Sequence, residues 1–258
     1  MKITIKCEKE IATDSLDHIY PFGTANCNQR NLRFINKFDK LLRNNSKQLN
    51  VLDLGCAGGG FVRDCNNVGM LAVGVEGSDF SKNLKRQNWA IIPEFLFNCD
   101  ITKKFELFSD GKKIKFNLIT AWEVLEHIKK KDIENLIENI KSNLDGNGIF
   151  VGSVSSYPVL LDGVDLHETQ ESFNWWKKQF EKKGFYVRWE LYDYFNGQYV
   201  NDFKGENKMF FHLILSLKNK KFNYPKLSLR DKFLDKWINS FMQKRIKYLV
   251  TGGNLQES

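Results

Sequence analysis

Acidic residues and glycines are spaced along the first half of the chain as they would be around a bound nucleoside. Asp53 and Gly55 end a predicted buried strand, and glycines cluster at 58–60 directly before a predicted helix. A strand, glycine loop and helix in this order let the backbone approach a ligand closely, because glycine has no Cβ. The helix N-terminus offers free N–H groups to a carboxylate. Glu76 ends the next predicted strand, where an acid can accept hydrogen bonds from both ribose hydroxyls.

The glycine loop differs from two common nucleotide-binding patterns. After the first predicted strand the chain lacks G-x-G-x-x-G, the spacing typical of dinucleotide-binding folds. It also lacks G-x-x-x-x-G-K-[ST], the phosphate loop of nucleotide triphosphatases. The sequence therefore excludes a triphosphatase loop and disfavours a dinucleotide ligand.

Four segments resemble the motifs of class I S-adenosylmethionine-dependent methyltransferases, in the family's order and spacing. Val51–Gly60 resembles motif I, usually written D/E-x-G-x-G-x-G, with alanine in place of the middle glycine. Glu76 and Asp100 match the acids that bind the ribose and the adenine amino group, and Ala121–Ile128 resembles the EVLEHI signature of a large subgroup. The resemblance implies S-adenosyl-L-methionine as cofactor. The residues implied to hold it are Asp53, Gly55, Ala57, Gly59, Glu76, Gly77, Asp100, Ile101 and Trp122.

Alternating strand and helix patterns over residues 49–218 predict one α/β domain around a parallel sheet. Two strand-like runs at 185–194 and 209–217, joined by a polar loop containing Asn196-Gly197, predict an antiparallel pair at the sheet edge. The family resemblance implies the same layout. It is a doubly wound, Rossmann-like, mostly parallel seven-stranded sheet whose last strand is antiparallel.

Two flanking segments are distinguished from this methyltransferase domain. Residues 1–48 form an N-terminal segment with a predicted helix at 31–43, and residues 219–258 form a basic extension. Residues 17–24 place His, Tyr and Phe beside a Pro-Gly turn, which either closes over the cofactor as a lid or forms a surface turn. Apolar residues at helical spacing over 229–250 predict an amphipathic helix. This helix packs on the domain or on the second copy of a homodimer, or makes peripheral contact with an anionic membrane.

Three polar residues are candidates for handling the methyl acceptor. Methyl transfer is an in-line displacement that depends mainly on alignment, and an alcohol acceptor must also lose a proton to a base. His167 lies in the loop after the fifth predicted strand, where it serves as base, binds the acceptor or has a structural role. His127 follows the fourth strand and is either a base or a structural residue beside the cofactor. Glu123 contacts cofactor or acceptor, and Trp122 walls the site or packs in the core.

A metal ion is not predicted. The loop after the fifth strand carries acids around His167 that could together hold a divalent ion, as some O-methyltransferases require. Their spacing matches no strict ligand motif, so a solvated acidic loop is the prediction. The residues concerned are Asp162, Asp165, His167 and Glu168.

The acceptor is predicted by exclusion and by family analogy. The D/N-P-P-Y/F signature of amino-methylating enzymes is absent after the fourth strand, and no Pro-Cys motif occurs there. O-methylation of a small molecule or of a sugar in glycan biosynthesis is therefore the first hypothesis. The net charge of +8 keeps a second hypothesis open, an RNA acceptor bound through phosphates, although no RNA-binding module is recognisable. A third is a catalytically silent, cofactor-binding scaffold for a partner subunit.

The chain composition is that of a folded protein in a reducing compartment. The 258 residues are 42% hydrophobic and 14% aromatic, which fits one large domain with added segments. The chain start has no apolar region of a signal peptide, and no stretch approaches the roughly 18 apolar residues of a membrane span. The five cysteines form no C-x-x-C pair, so we expect a cytoplasmic location.

Overall fold

A seven-stranded sheet organises the computed structural model, which describes residues 1–28, 30–43, 48–195, 210–219 and 221–237. The strands, in chain order, are β1 (Ile3–Cys7), β2 (Asn50–Leu54), β3 (Leu71–Glu76), β4 (Leu96–Asn98), β5 (Phe105–Ser109), β6 (Lys112–Lys113), β7 (Phe116–Trp122), β8 (Leu144–Ser155), β9 (Leu160–Leu161), β10 (Val164–Asp165), β11 (Tyr186–Val187) and β12 (Phe210–Ser216). The helices are α1 (Leu16–Ile19), α2 (Phe22–Asn26), α3 (Leu32–Leu42), α4 (Gly60–Asn67), α5 (Phe80–Asn83), α6 (Ile133–Asn143), α7 (Phe173–Lys182), α8 (Trp189–Tyr194) and α9 (Leu229–Trp237).

The large sheet has the strand order β11-β12-β8-β7-β2-β3-β4. Strands β8, β7, β2, β3 and β4 run parallel to one another. Strand β12 is antiparallel to β8, and β11 is antiparallel to β12, so β12 alone runs against the other strands of this sheet. The predicted fold class, a mostly parallel seven-stranded sheet with an antiparallel last strand, is confirmed.

The central strands are buried on both faces. Every residue of β3 is buried, and so is every residue of β2 after Asn50. Strands that are covered on both faces have continuous apolar sequences, which is why these two strands could be recognised from the sequence. Because neighbouring strands are parallel, the carboxyl ends of β2, β3 and β7 meet at one edge of the sheet, where ligands bind in such folds.

The prediction of one long strand over 185–194 was wrong. Only Tyr186–Val187 pairs with β12, and the backbone N–H of Arg188 makes the last bond, to the carbonyl of Ile214. Residues 189–194 then form α8, which buries Leu191, Tyr192 and Tyr194. A short aromatic run has no periodicity that separates a strand from a buried helical turn. The predicted Asn196-Gly197 loop lies outside the described residues.

Residues 145–148 have the sequence Asp-Gly-Asn-Gly, which is typical of a turn, but they are part of a strand. These residues belong to β8, which begins at Leu144 directly after α6. Phe116 of β7 pairs with Leu144, and Leu118 pairs with Ile149, so β8 advances by five residues where β7 advances by two. The two glycines in this stretch therefore mark an irregular strand start, a position where glycine is common.

The N-terminal segment contributes a strand that the sequence analysis did not identify. Strand β1 pairs antiparallel with β5 from Ile3↔Ser109 to Cys7↔Phe105 and forms a small second sheet. The helix predicted at 31–43 is α3, whose N-terminus is capped by the Asn31 side chain, which accepts from the Phe34 N–H at 3.2 Å.

Helix α9 contacts α3 through charged side chains. The carboxylate of Asp235 lies 2.6 Å from Nζ of the buried Lys37. Leu229 and Phe233 of the predicted apolar stripe are exposed. The described part of the extension is thus held on its own domain by ion pairs, and residues 238–250 of the predicted helix lie outside the described residues.

None of the helices in the described ranges combines the length and the apolar character that crossing a bilayer requires.

Candidate active site

A cavity of about 410 Å³ opens at the carboxyl ends of the central strands. Its volume lies in the range of small-molecule sites. Of the residues predicted for the site, those that line it are Asp53, Gly55, Ala57, Glu76, Gly77, Asp100, Ile101, Trp122, Glu123, His127 and His167. The fold thus brings together groups that are spread over more than one hundred positions of the chain.

Gly59 does not line the cavity. It is the N-cap of α4 with a φ of 75°, and a Cβ at this position would lie 2.7 Å from Cδ1 of Leu96. Its absence of a side chain lets the loop turn and pack closely on the next layer. Gly59 therefore supports the conformation of the glycine loop without lining the cavity.

Glu76 is anchored by both the glycine loop and the N-terminal segment. Its Oε2 accepts from the Ala57 N–H at 2.8 Å, and Oε1 accepts from the Ser78 N–H at 3.2 Å and from Oγ1 of Thr24 at 3.4 Å. Burial raises the pKa of Glu76 to about 7, although these donors act in the opposite direction. Since Oε2 has a single donor among the described residues, it retains acceptor capacity for a ribose hydroxyl.

Asp53 is the second buried carboxylate of the site. It is 3% exposed, and Oδ1 accepts a hydrogen bond of 2.6 Å from Oγ1 of Thr120 on the neighbouring strand. Burial raises the pKa of Asp53 to about 7, against the effect of this hydrogen bond. A cation bound in the cavity, such as a sulfonium or an amine, would favour the ionised form of Asp53.

Replacing Asp53 with asparagine is expected to flatten the fall in stability between about pH 4 and pH 7. The pKa of Asp53 rises from an ordinary 3.8 to about 7 on folding, so the folded chain binds more protons than the unfolded chain in this window. Stability from this group is therefore present below pH 4 and is lost as the pH rises through 7. Asparagine can still accept from Thr120 and carries no charge. Urea unfolding at pH 4.5, 5.5 and 7 measures the free energy of unfolding of both proteins. Between the lowest and the highest pH, the wild type should lose on the order of a few kcal/mol more than Asp53→Asn, and equal losses would contradict the prediction.

Asp100 closes a turn and also lines the cavity. Its Oδ1 accepts from the N–H of Thr102 at 3.0 Å and from Oγ1 of Thr102 at 2.6 Å, which closes a tight turn. Its Oδ2 lies 3.7 Å from Nζ of Lys9. Because Asp100 also lines the cavity, its turn contacts fix a carboxylate beside the space available to an adenine.

Residues 12–28 of the N-terminal segment lie across the cavity. The Ala12 N–H donates to the Gly77 carbonyl at 2.9 Å, and the Gly58 N–H donates to the Cys27 carbonyl at 3.2 Å. Phe22, Gly23 and Thr24 are among the lining residues. The segment predicted as a lid or a surface turn therefore covers the site, and its opening and closing stay a prediction.

Trp122 is the last residue of β7, Glu123 follows it, and both line the cavity. Trp122 packs edge-on against Phe34 at 5.3 Å between ring centroids, so it combines core packing with a place in the wall. Glu123 has a φ of 53°, held because its N–H donates to the carbonyl and the hydroxyl of Ser153. Burial raises the pKa of Glu123. Among the described residues no hydrogen-bond partner reaches its Oε1.

The two predicted histidines are neighbours with opposite charge preferences. Their ring centroids are 4.6 Å apart. Burial opposes the charge of His127, but Asp17, whose Oδ1 lies 3.0 Å from Nδ1, and the nearby Glu126 and Glu123 raise its pKa to about 9. Burial and the positive charge of His127 lower the pKa of His167. The ligand-free site therefore holds one imidazolium and one neutral ring near pH 7.

His167 is fixed in a single tautomer. Its Nδ1 contacts the backbone carbonyl of Tyr157, and because a carbonyl only accepts, Nδ1 carries the proton. The second ring nitrogen, Nε2, is left with a lone pair. The loop is held by Asp165, which accepts from the N–H groups of Val159 and His167, so that acid stabilises the turn instead of completing the loop site considered above.

Three residues of the site were missed. Glu126 is fully buried beside the histidines, and its pKa is raised to about 8 by burial and by Glu123. Asp17 pairs with His127, and Tyr157 orients His167. Glu126 lies within the segment that resembles EVLEHI, so its identity was available from the sequence, while its closeness to His167 was not.

Replacing Gly55 with alanine is expected to destabilise the fold by about 1–3 kcal/mol. Gly55 has a φ of 67°, and an added Cβ would lie 2.5 Å from Cγ2 of Val124. Backbone strain and overlap therefore act together. Thermal unfolding should show the loss, with Gly111→Ala as the matched control. Gly111 has a φ of 77° but open space around it, so this control isolates the backbone cost.

The arrangement at the strand ends fits S-adenosylmethionine. Carboxylates of Asp53, Glu76 and Asp100 face one cavity, at the carboxyl ends of successive strands. Gly55 and Gly77 line the same cavity, and a Cβ at these positions would crowd Val124 and Ala12. The residues present therefore match a ligand with a sugar, a base and a positively charged centre.

Comparison with known proteins agrees with this geometry. Residues 28–199 match the family model described as a methyltransferase domain, which spans more than half of the chain. A TehB-like SAM-dependent methyltransferase from Corynebacterium glutamicum is 16% identical with a TM-score of 0.51, over 72% of this chain and 88% of that one. The CcbJ methyltransferase from Streptomyces caelestis is 13% identical with a TM-score of 0.51, over 80% and 96% of the two chains.

A structure of PKMT2 from Rickettsia typhi in complex with AdoHcy is 12% identical with a TM-score of 0.51, over 77% of this chain and 55% of that one. At these identities the structural matches establish the fold, and the family model establishes the membership. The chain therefore belongs to the methyltransferase-domain family, and it is a class I methyltransferase whose cofactor is S-adenosylmethionine.

Proposed function

We propose that this protein methylates a hydroxyl group of a small molecule or a sugar. The observation that carries the proposal is the polar group at the inner end of the cavity, formed by Glu123, His127 and His167. S-adenosylmethionine supplies a methyl group activated by the sulfonium charge. The protein then has to hold the acceptor oxygen in line with that methyl and assist the loss of its proton.

The cavity has one set of residues for the cofactor and another for the acceptor, which supports this assignment. Glu76 and Asp100 are positioned to bind the sugar and the base of the cofactor, and Asp53 lies beside the charged end. Glu123, His127 and His167 then surround the acceptor. Because Glu123 and His127 follow β7 whereas His167 follows β10, the acceptor is held by two loops.

The cavity favours a small acceptor over RNA. Segment 12–28 lies across it, and the space that remains for cofactor and acceptor together is about 410 Å³. Charged lining residues outside the cofactor positions are mostly acidic, with a single lysine, Lys129, among the described residues of the wall. Acids repel phosphates, whereas RNA binding relies on clusters of Lys and Arg. The acidic residues are Asp14, Asp17, Glu123, Asp132 and Glu168.

Two neighbouring aromatic rings suggest the apolar part of the acceptor. Tyr157 and Phe210 line the cavity with ring centroids 5.5 Å apart, close to His167. Aromatic faces bind the apolar faces of sugars and ring compounds while polar groups fix their hydroxyls. We include glycan precursors in the proposed class for this reason. All five cysteines are free, which supports the proposal of a cytoplasmic location.

The experiment is an acceptor screen with radiolabelled S-adenosylmethionine. A panel of phenols, sugars and nucleotide-linked sugars is compared with total RNA and with the corresponding amines. We expect the label in a small hydroxyl compound and a methyl ether in the product's mass and NMR spectra. Label in RNA, or methylation at nitrogen, would overturn the proposal.

A further inference from the structure

A cluster of nitrogen and oxygen donors lies at the inner end of the cavity, separate from the cofactor carboxylates. One ligand atom each from Glu126, His127 and His167 lie within 4.8 Å of one another. The three residues come from the turn after β7 and from the loop after β10, so the cluster joins two elements. This proximity is the geometry from which a metal site is built.

The cluster contains a buried carboxyl group with an oxygen that has no hydrogen-bond partner among the described residues. Glu126 is 0% exposed, and its Oε1 accepts from the Ser155 N–H at 2.7 Å. Its Oε2 has no hydrogen-bond partner among the described residues, and the same holds for Oε1 of the neighbouring Glu123. A buried carboxylate oxygen without a partner is costly, so a cation at this position would stabilise the site.

In both histidines Nδ1 lies close to an oxygen atom of another residue. In metal sites the ring nitrogen that does not bind the ion is held by a carbonyl or a carboxylate. Nδ1 of His167 contacts the Tyr157 carbonyl, and Nδ1 of His127 lies 3.0 Å from Asp17. In each ring Nε2 is the nitrogen that remains for an ion.

We propose that Glu126, His127 and His167 bind one divalent transition-metal ion. Two imidazoles and one carboxylate suit Mn²⁺, Fe²⁺, Co²⁺ or Zn²⁺, while Mg²⁺ and Ca²⁺ prefer oxygen ligands. Three protein ligands leave coordination positions open, as in catalytic metal sites. The role of the ion rests on the proposed function: it binds the acceptor hydroxyl and lowers its pKa, and the proton leaves to solvent. Binding itself does not depend on that function.

The test is direct metal binding to the full chain without cofactor or acceptor. CoCl₂ is titrated into the metal-free protein and followed by calorimetry and by visible absorption, which reports nitrogen and oxygen ligation of Co²⁺. We expect one ion per chain, with MgCl₂ binding more weakly. Glu126→Gln and His167→Gln should each lower Co²⁺ affinity by at least about 100-fold, since even outer-shell changes cost 10–100-fold.

Controls separate a lost ligand from a lost fold. Glu126→Gln keeps the side-chain size and an oxygen that can accept from Ser155, and unchanged affinity for S-adenosylmethionine would show that the cofactor site is intact. His18→Gln is the matched control, because His18 lies outside the cluster, and it should retain Co²⁺ binding. In the wild-type protein, the ring signals of two histidines should broaden when Co²⁺ is added, whether or not the variants fold.

Absence of stoichiometric Co²⁺ binding by the wild type overturns the proposal, as does wild-type affinity in both folded variants. Co²⁺ binding together with methylation of nitrogen or RNA would leave the metal site standing and reject the proposed acceptor. Hydroxyl methylation by a chain that binds no metal would reject the site and keep the function.

Discussion

Replacing Glu76 with alanine is expected to lower the affinity for S-adenosylmethionine by at least about 100-fold. Hydrogen bonds to a charged group contribute about 1.5–3 kcal/mol each, and this carboxylate is placed to accept from both ribose hydroxyls. The same side chain holds the glycine loop through Ala57 and the N-terminal segment through Thr24. Its removal therefore weakens direct contacts with the cofactor and the positioning of two elements that surround it.

Calorimetry with S-adenosylmethionine measures the loss. Glu94→Ala is the control, because Glu94 is an exposed glutamate that does not line the cavity. Glu76→Gln tests whether both carboxylate oxygens are needed as acceptors when the size of the side chain is kept. The glutamine oxygen can replace one hydrogen bond, but its NH₂ group meets an N–H donor of Ala57 or Ser78. We expect Glu76→Gln to bind weakly as well. Wild-type affinity in Glu76→Ala would mean that the cofactor lies elsewhere.

The cofactor half of the site could be predicted because its residues are determined locally. Asp53 and Glu76 end strands that are continuous apolar runs, and the glycines between them mark a strand-to-helix loop. Parallel strands bring such ends together whatever the details of packing. Secondary structure failed where local pattern is ambiguous: the aromatic run at 189–194 is a helix, and β1 is too short to identify without β5.

The acceptor half depends on contacts between distant segments. Asp17 and His127 are far apart in the chain, and their ion pair exists because segment 12–28 folds across the strand ends. Burial opposes the charge of His127, and that pair together with the nearby Glu126 and Glu123 raises its pKa. No local pattern encodes these neighbours, so the sequence analysis could name both histidines and still leave their protonation open.

Substitution of His167 by alanine is expected to lower turnover by at least about 100-fold and to leave affinity for S-adenosylmethionine unchanged. His167 lines the inner end of the cavity and is fixed by Tyr157, while Glu76 and Asp100 belong to other strands. Proton transfer or orientation by a positioned side chain typically contributes 10²–10⁴-fold to a rate. Single-turnover methylation of the acceptor found in the screen measures the rate, and calorimetry measures the affinity.

His18→Ala provides the comparison for His167→Ala, because it removes a histidine of the covering segment that is outside the Glu126–His127–His167 cluster. We expect it to retain most of the turnover. A folded His167→Ala protein with wild-type turnover would remove His167 from the acceptor site. Reduced cofactor affinity together with reduced turnover would instead place His167 beside the cofactor. Glu76 and Asp100 lie at other strand ends than His167. The rate of methylation and the affinity for S-adenosylmethionine can therefore distinguish a residue that handles the acceptor from one that binds the cofactor.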